Sequence, residues 1–292
     1  MRVTEMWRSR SRPTVSFELY PARTPKSEAS LQKAVNKLAE LKPDFVSVTF
    51  GAGGSTREGS RELVDRLKNG KQLEIVAYVA CYGLGPDRLA DVLEDYRGLG
   101  VENILAVRGD APREQDGFVP DEHSLAHASD FLTFAARYDF CLGAAGYPEG
   151  HVEADSRQKD LEYLKLKVDS GAQYIITNYF YDNQYFHDFV ERCRAGGIKV
   201  PILPGVMPVF SVKLMENLAQ LCGATITEEL RTGLAGIPED DKDALANFGI
   251  DYAMRQCREL LESGAPGVHI YTMDRSKAAT ALVTRLRKEG LL

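Results

Sequence analysis

Eight short apolar runs, separated by helical stretches at intervals of about 30 residues, predict an α/β protein built as a single-domain (β/α)8 TIM barrel. The runs are strand-length and bounded by Gly, Pro or charge, as parallel strands buried on both faces are. No Pro/Gly/Ser-rich linker and no low-complexity segment divides the 292 residues. The alternative is a doubly wound sheet. Against it, Gly51-Ala52-Gly53-Gly54-Ser55-Thr56 fails the dinucleotide fingerprint, because Thr56 holds the third glycine position and the stretch follows the second strand. The expected organisation is a polar tail over residues 1–13 and a barrel over residues 14–292.

The elements follow in order. Thr14 to Glu18 is the first strand, closed by Pro21 and Thr24-Pro25. Ser27 to Leu41 is helical, with Leu31, Val35, Leu38 and Leu41 on one stripe. Asp44 to Phe50 is the second strand, ending in the glycines at 51–54, and a helix runs from Arg57 to Leu67. Leu73 to Cys81 is the third strand, with a helix to Tyr96. Asn103 to Val107 is the fourth, stopped by Arg108-Gly109-Asp110. A polar loop, Ala111 to Glu122, leads to a helix through Tyr138. Phe140 to Tyr147 is the fifth strand, and the helix Ser156 to Ser170 carries Leu161, Leu164 and Val168 inward. Tyr174 to Tyr181 is the sixth, followed by a helix to Arg194. Val200 to Met207 is the seventh, broken by Pro204 and Gly205, and helices continue to Ser263. Gly267 to Met273 is the eighth, and Arg275 to Lys288 is the closing helix.

Composition excludes several classes. A net charge of −6 and a pI near 5.5 argue against a general nucleic-acid binder. No apolar run reaches membrane-spanning length, and Met1 to Arg12 is polar and basic, unlike a signal peptide. Cys81, Cys141, Cys193, Cys222 and Cys257 are odd in number with no Cys-x-x-Cys pair. They read as reduced thiols in a cytoplasmic protein. The five histidines show no His-Glu-x-x-His pattern, so a metal site has no sequence support.

In a barrel the carboxyl ends of the strands converge on one mouth, where chemistry is done. Those ends supply Glu18, Thr49, Arg108, Gly109, Asp110, Tyr147, His151, Asn178 and residues 269–275. Glu18 ends an apolar strand, where burial would raise its pKa and suit it to proton donation near neutral pH. A strand-end salt bridge fits Glu18 equally well. Asp110 is a second carboxylate at the mouth, with pairing to Arg108 as the alternative. Asp160 and Lys167 lie two turns apart on one helix face and read by default as solvated charges. The glycines at 51–54 could turn backbone N–H groups toward an anion, a weak signal without a lysine.

Several of these motifs together resemble one family. They are Ser16-Phe17-Glu18 with Pro21 and Arg23-Thr24, the strand Val46 to Ala52, Arg108-Gly109-Asp110, Tyr147-Pro148-Glu149-Gly150-His151, Asp160 with Lys165 and Lys167, and Leu203-Pro204-Gly205. The set is similar to methylenetetrahydrofolate reductase from about Val15 to Arg275 and, lacking a regulatory extension, to its bacterial form. The resemblance implies a flavoprotein that reduces 5,10-methylenetetrahydrofolate to 5-methyltetrahydrofolate for one-carbon metabolism and methionine synthesis. FAD is the implied cofactor, and NADH or NADPH the implied electron donor. By the family pattern Glu18 is the acid that opens the folate ring, and Asp110 a carboxylate near flavin and pterin. Thr49, Phe50, Ala52, Tyr78, Arg108, Gly109, Asp110, Tyr147, His151, Asp160 and Lys167 fall on FAD positions, and Asn178, Leu218 and Arg275 on substrate positions. A homo-oligomer is implied as well. The chain departs from the pattern where Tyr78 replaces a histidine, Asn178 a glutamine and Asp274 an asparagine. Tyr78 and Asn178 motivate a second reading, a barrel oxidoreductase acting on another one-carbon carrier or taking electrons from a partner protein. A non-catalytic pterin- or flavin-binding protein is a further alternative, against which Glu18 and Asp110 together argue.

Overall fold

The computed structural model describes residues 1–50, 54–110, 119–238 and 240–292, with the side chains of residues 54–57 outside that description. Eight strands form a closed barrel in chain order: β1 (Thr14–Leu19), β2 (Phe45–Val48), β3 (Ile75–Ala80), β4 (Asn103–Val107), β5 (Cys141–Gly146), β6 (Tyr174–Tyr179), β7 (Ile202–Val206) and β8 (Gly267–Tyr271). Every neighbouring pair is parallel, and β8 closes on β1 with Ser16 opposite His269. The helices are α1 (Val3–Ser9), α2 (Pro25–Glu40), α3 (Gly54–Asp65), α4 (Pro86–Gly98), α5 (Ala128–Ala135), α6 (Arg157–Asp169), α7 (Asn183–Ala195), α8 (Val212–Cys222), α9 (Glu228–Ala235), α10 (Lys242–Glu262) and α11 (Ser276–Lys288). A single π-helical turn, Arg66–Gly70, extends α3. No helix among the described residues is long and apolar enough to cross a membrane.

The ring of helices forms because each carries one apolar stripe. In α2, Thr24 caps the N-terminus by accepting from Ser27 N at 3.1 Å, and Pro25 sits in the first turn where no N–H is needed. Leu31, Val35 and Leu38 are buried against the outer faces of the strands, each contributing roughly 1.5–3 kcal/mol. The last residue of the expected stripe, Leu41, is partly buried against the same core.

The N-terminal segment, read as a polar tail, contains a helix. Val3 and Met6 of α1 are buried together with Phe45, Val76, Leu105 and Tyr174, inside the amino-terminal end of the barrel. Val3 N donates to Asn103 Oδ1 at 2.8 Å, and Trp7 Nε1 donates to Thr14 Oγ1 at 2.9 Å. Arg12 then grips the buried Asp44 with both guanidinium nitrogens, at 2.7 and 3.1 Å. Tyr174 fills the interior because β5 carries Gly143 beside it, where a Cβ would come within 2.2 Å of the ring.

One layer of the interior is polar. His269 Nδ1 meets Ser16 Oγ at 2.8 Å, and Nε2 meets Ser47 Oγ at 3.1 Å. The imidazole is fully buried, and burial lowers its pKa to about 3.

Above this layer β7 is continuous through Pro204 and Gly205, against the expected break. The irregularity falls on β6 instead. Its register to β7 slips between Ile176 and Tyr179, and Gly205 N donates to Thr177 Oγ1 at 2.9 Å. Pro204, with no N–H to satisfy, sits opposite the slip. Gly205 is required because a Cβ there would lie 2.3 Å from Thr177 O and 2.4 Å from the Tyr271 ring.

The polar layer predicts an acid response. An imidazole whose folded pKa is depressed contributes stability that is present above its unfolded value, 6.5, and is lost as pH falls toward 3. The thermal midpoint of the parent should fall over that window, and His269→Gln should flatten the fall while lowering the midpoint at pH above 7. Parallel pH curves for the two proteins would remove His269 as the cause.

Candidate functional site

The strand ends open onto a cavity of about 220 Å³ at the carboxyl mouth, lined by Glu18, Tyr20, Tyr78, Asn178, Tyr179 and Tyr271 among others. Val107, Ala145 and Tyr147 also border a larger cleft of about 670 Å³, which lies over the ends of β4 and β5 and along α6. The two spaces therefore share a wall.

Glu18 lies at the floor of the inner cavity, 3% exposed. Its backbone carbonyl accepts from Thr272 Oγ1 at 2.8 Å, which fixes the end of β1 against the turn after β8. Burial raises the carboxyl pKa to about 7, and the negative charge of Asp274 pushes in the same direction. The Tyr20 and Tyr78 hydroxyls act on it as hydrogen-bond donors and pull it down, yet Oε1 has no hydrogen-bond partner. A carboxyl half protonated near neutral pH, with one oxygen unsatisfied, is equipped to exchange a proton with a ligand. Asp274 itself is raised to about 6 by burial and accepts from Tyr20 N at 3.1 Å. It is reached through two consecutive left-handed residues, Met273 at φ 48° and Asp274 at φ 55°.

The other walls hold hydrogen-bonding groups. Asn178 and the Cys222 thiol of α8 interact, and Tyr271 Oη donates to Thr177 O at 2.7 Å. Leu218 of α8 supplies an apolar face.

The outer cleft is cationic on one side. Arg108 pairs with Glu153 and lies 3.7 Å from Asp110. Lys167 is held by Ala145 O at 2.7 Å, and burial lowers its pKa to about 8 against the attraction of Asp160. Asp160 is buried, so this pair faces the cleft and is not the solvated pair its spacing implied. The Tyr147 and His151 rings meet edge to face at 4.6 Å. Gly109 turns at φ +81°, and a Cβ there would lie 2.8 Å from that of Ala80.

Other expected residues lie elsewhere. Asp110 is 84% exposed and lines the outer cleft, outside the wall that holds Glu18. The carboxylate that acts on Glu18 is Asp274, whose signal in the sequence was its place in Tyr271-Thr272-Met273-Asp274-Arg275. Arg275 is exposed, occupies the N-cap position of α11, lies over the Phe210 ring at 5.3 Å and is not among the residues lining either space. Thr49 and Phe50, half-buried, follow β2 and are not among the residues lining either space, and Ala52 lies outside the described residues. Tyr20 was not anticipated, although it stands two residues after Glu18 on the same side of the chain. His127 and Tyr163 of the outer cleft follow no motif and gave no signal.

Comparison with known proteins decides the family. Residues 2–287 match the family model described as methylenetetrahydrofolate reductase. The chain belongs to the methylenetetrahydrofolate reductase family. It is 36% identical over 283 residues to methylenetetrahydrofolate reductase (NADH) 1 of Arabidopsis thaliana, covering 93% of this chain and 48% of that one. It thus spans about half the length of the plant relatives it matches. It is 35% identical over 269 residues to 5,10-methylenetetrahydrofolate reductase of Escherichia coli K12, covering 92% of this chain and 88% of that one. Among solved structures, a Clostridium thermocellum protein described as binding two copies of 5-methyl-5,6,7,8-tetrahydrofolic acid superposes with a TM-score of 0.65. It covers 98% of this chain and 99% of its own at 17% identity, a likeness of fold.

The coupling of the two carboxyls in this reductase-family site is testable without turnover. Asp274→Asn removes a negative charge while keeping a residue that tolerates the left-handed backbone. Infrared difference titration should place the parent Glu18 carboxyl near pH 7 and move it lower in Asp274→Asn. An unmoved titration would mean that burial alone sets the Glu18 pKa.

Proposed function

We propose that the protein reduces 5,10-methylenetetrahydrofolate to 5-methyltetrahydrofolate on bound FAD, with NADH or NADPH as the electron donor. One observation carries the reading. A buried glutamic acid, held near pKa 7 with a free oxygen, faces a small cavity walled by amide and phenol groups. Membership of the family and the printed names of its plant and bacterial members support the same reaction.

The residues present fit FAD. The outer cleft, about 670 Å³ in volume, offers Arg108 and Lys167 to a pyrophosphate. Lys167 is held at reduced pKa by burial, so a dianionic partner would be received by a poorly solvated ammonium. Tyr147 stands where the two spaces join and offers an aromatic edge there. FAD, when bound, would supply the hydride carrier between the nicotinamide and the one-carbon unit.

The protein's own part is acid–base chemistry and placement. Glu18, protonated, would give its proton to the folate nitrogen whose bond to the one-carbon unit breaks, opening the five-membered ring to an iminium. The carboxylate left behind lies in the same cavity and offsets the new positive charge. Asp274 keeps Glu18 protonated to a higher pH, so that the proton is there to give. Asn178 can donate and accept at once, which matches a pterin edge. Asp110, exposed beside Arg108, would act from the cofactor side and not on the folate directly.

Glu18→Gln separates the two halves of the reaction. The amide keeps the shape and has no acidic proton. Flavin reduction by the nicotinamide should survive, and folate reduction should fall by roughly 10²-fold or more. Stopped-flow spectra of the two half-reactions give both numbers. Near-normal folate reduction in the variant would take Glu18 out of the mechanism.

A further inference from the structure

The slip in β6 brings a second hydrogen-bonding side chain into the inner cavity. Asn178 and Tyr179 are consecutive, and successive side chains of a regular strand point to opposite faces. The register shift between Ile176 and Tyr179 breaks that alternation, and both residues line the cavity. Tyr179 is 5% exposed, and its hydroxyl has no hydrogen-bond partner. The polar group nearest in effect is the Cys222 thiol, a weak partner. Edge-to-face contacts with Tyr181 at 5.6 Å and Tyr271 at 6.3 Å hold the phenol ring in place. Three other buried or half-buried tyrosines are satisfied: Tyr174 by Ile104 O at 2.9 Å, Tyr252 by Tyr181 O at 2.7 Å and Tyr271 by Thr177 O at 2.7 Å. Tyr181 shares the unpaired state but does not line the cavity.

A buried hydroxyl without a partner is unfavourable, and a ligand that brings an acceptor removes the deficit. Asn178, beside it, is one methylene shorter than the glutamine of the family pattern. The phenol of the next residue therefore adds a donor on the wall where the amide reaches less far. We propose that Tyr179 is a substrate-binding residue whose hydroxyl donates a hydrogen bond to a carbonyl oxygen or ring nitrogen of the folate held beside Asn178. This rests on the folate reading given above and extends it to a residue outside the family motifs.

The test uses the FAD-loaded protein with its flavin photoreduced, so that added 5-methyltetrahydrofolate binds without reacting. Calorimetric titration of the parent, Tyr179→Phe and Tyr181→Phe is paired with thermal melting of each protein without folate. Tyr179→Phe should bind folate roughly 3–10-fold more weakly, the loss expected for one hydrogen bond. Its melting midpoint should be unchanged or raised, because an unpaired buried hydroxyl has been removed. Tyr181→Phe should bind within about twofold of the parent. Parental folate affinity in Tyr179→Phe overturns the proposal and leaves the proposed function standing. Equal losses in both variants with lowered midpoints make the hydroxyls structural and also overturn it. Loss of FAD from Tyr179→Phe would assign the hydroxyl to the flavin instead. If the parent binds no folate, the proposed function falls and this assignment with it.

Discussion

Burial of the Glu18 carboxyl at the end of β1 is the constraint on which the site depends. Water would hold this group ionised at neutral pH. The closed barrel removes the water and raises the pKa to about 7. The surroundings are tuned and not merely dry. Tyr20 and Tyr78 pull the pKa down, Asp274 pushes it up, and one carboxyl oxygen is left open.

The fold supplies that environment from below. The layer Ser16–His269–Ser47 satisfies both imidazole nitrogens and keeps the ring neutral beneath the mouth. Tyr78 interacts with Ser47 on one side and Glu18 on the other, so the polar layer and the acid are linked through the family's departed position. The slip in β6 serves the opposite wall. It lets β7 pass Pro204 without an unpaired N–H and turns adjacent β6 residues toward the same space. Gly205 keeps the strand close enough for Tyr271 to reach Thr177 O.

The barrel was legible because strands buried on both faces are written as apolar runs, and eight of them recur between helical stripes. Glu18 was legible because it ends the first such run. What escaped depends on contacts made far along the chain. In α1 only Val3, Met6 and Trp7 are apolar among polar and charged residues, and their value comes from Asn103 and Tyr174, a hundred or more residues away. Pro204-Gly205 reads as a break because the compensating slip is on another strand. Asp160 and Lys167 read as solvated because helix spacing shows which residues share a face and not what the face meets. Asp110 and Glu18 both follow strands and read as two carboxylates at one mouth, whereas Glu18 lines the inner cavity and Asp110 the outer cleft. Asp274 acts on Glu18 from a turn whose backbone conformation a sequence does not announce.

The most direct test of the central claim is the visible spectrum of the purified protein loaded with FAD under anaerobic conditions. NADH or NADPH should bleach the flavin absorbance, and methylenetetrahydrofolate should then restore it, since Glu18 and Asn178 line one cavity. A protein that takes up no FAD, or one whose bleached flavin is not reoxidised by methylenetetrahydrofolate, would contradict the account.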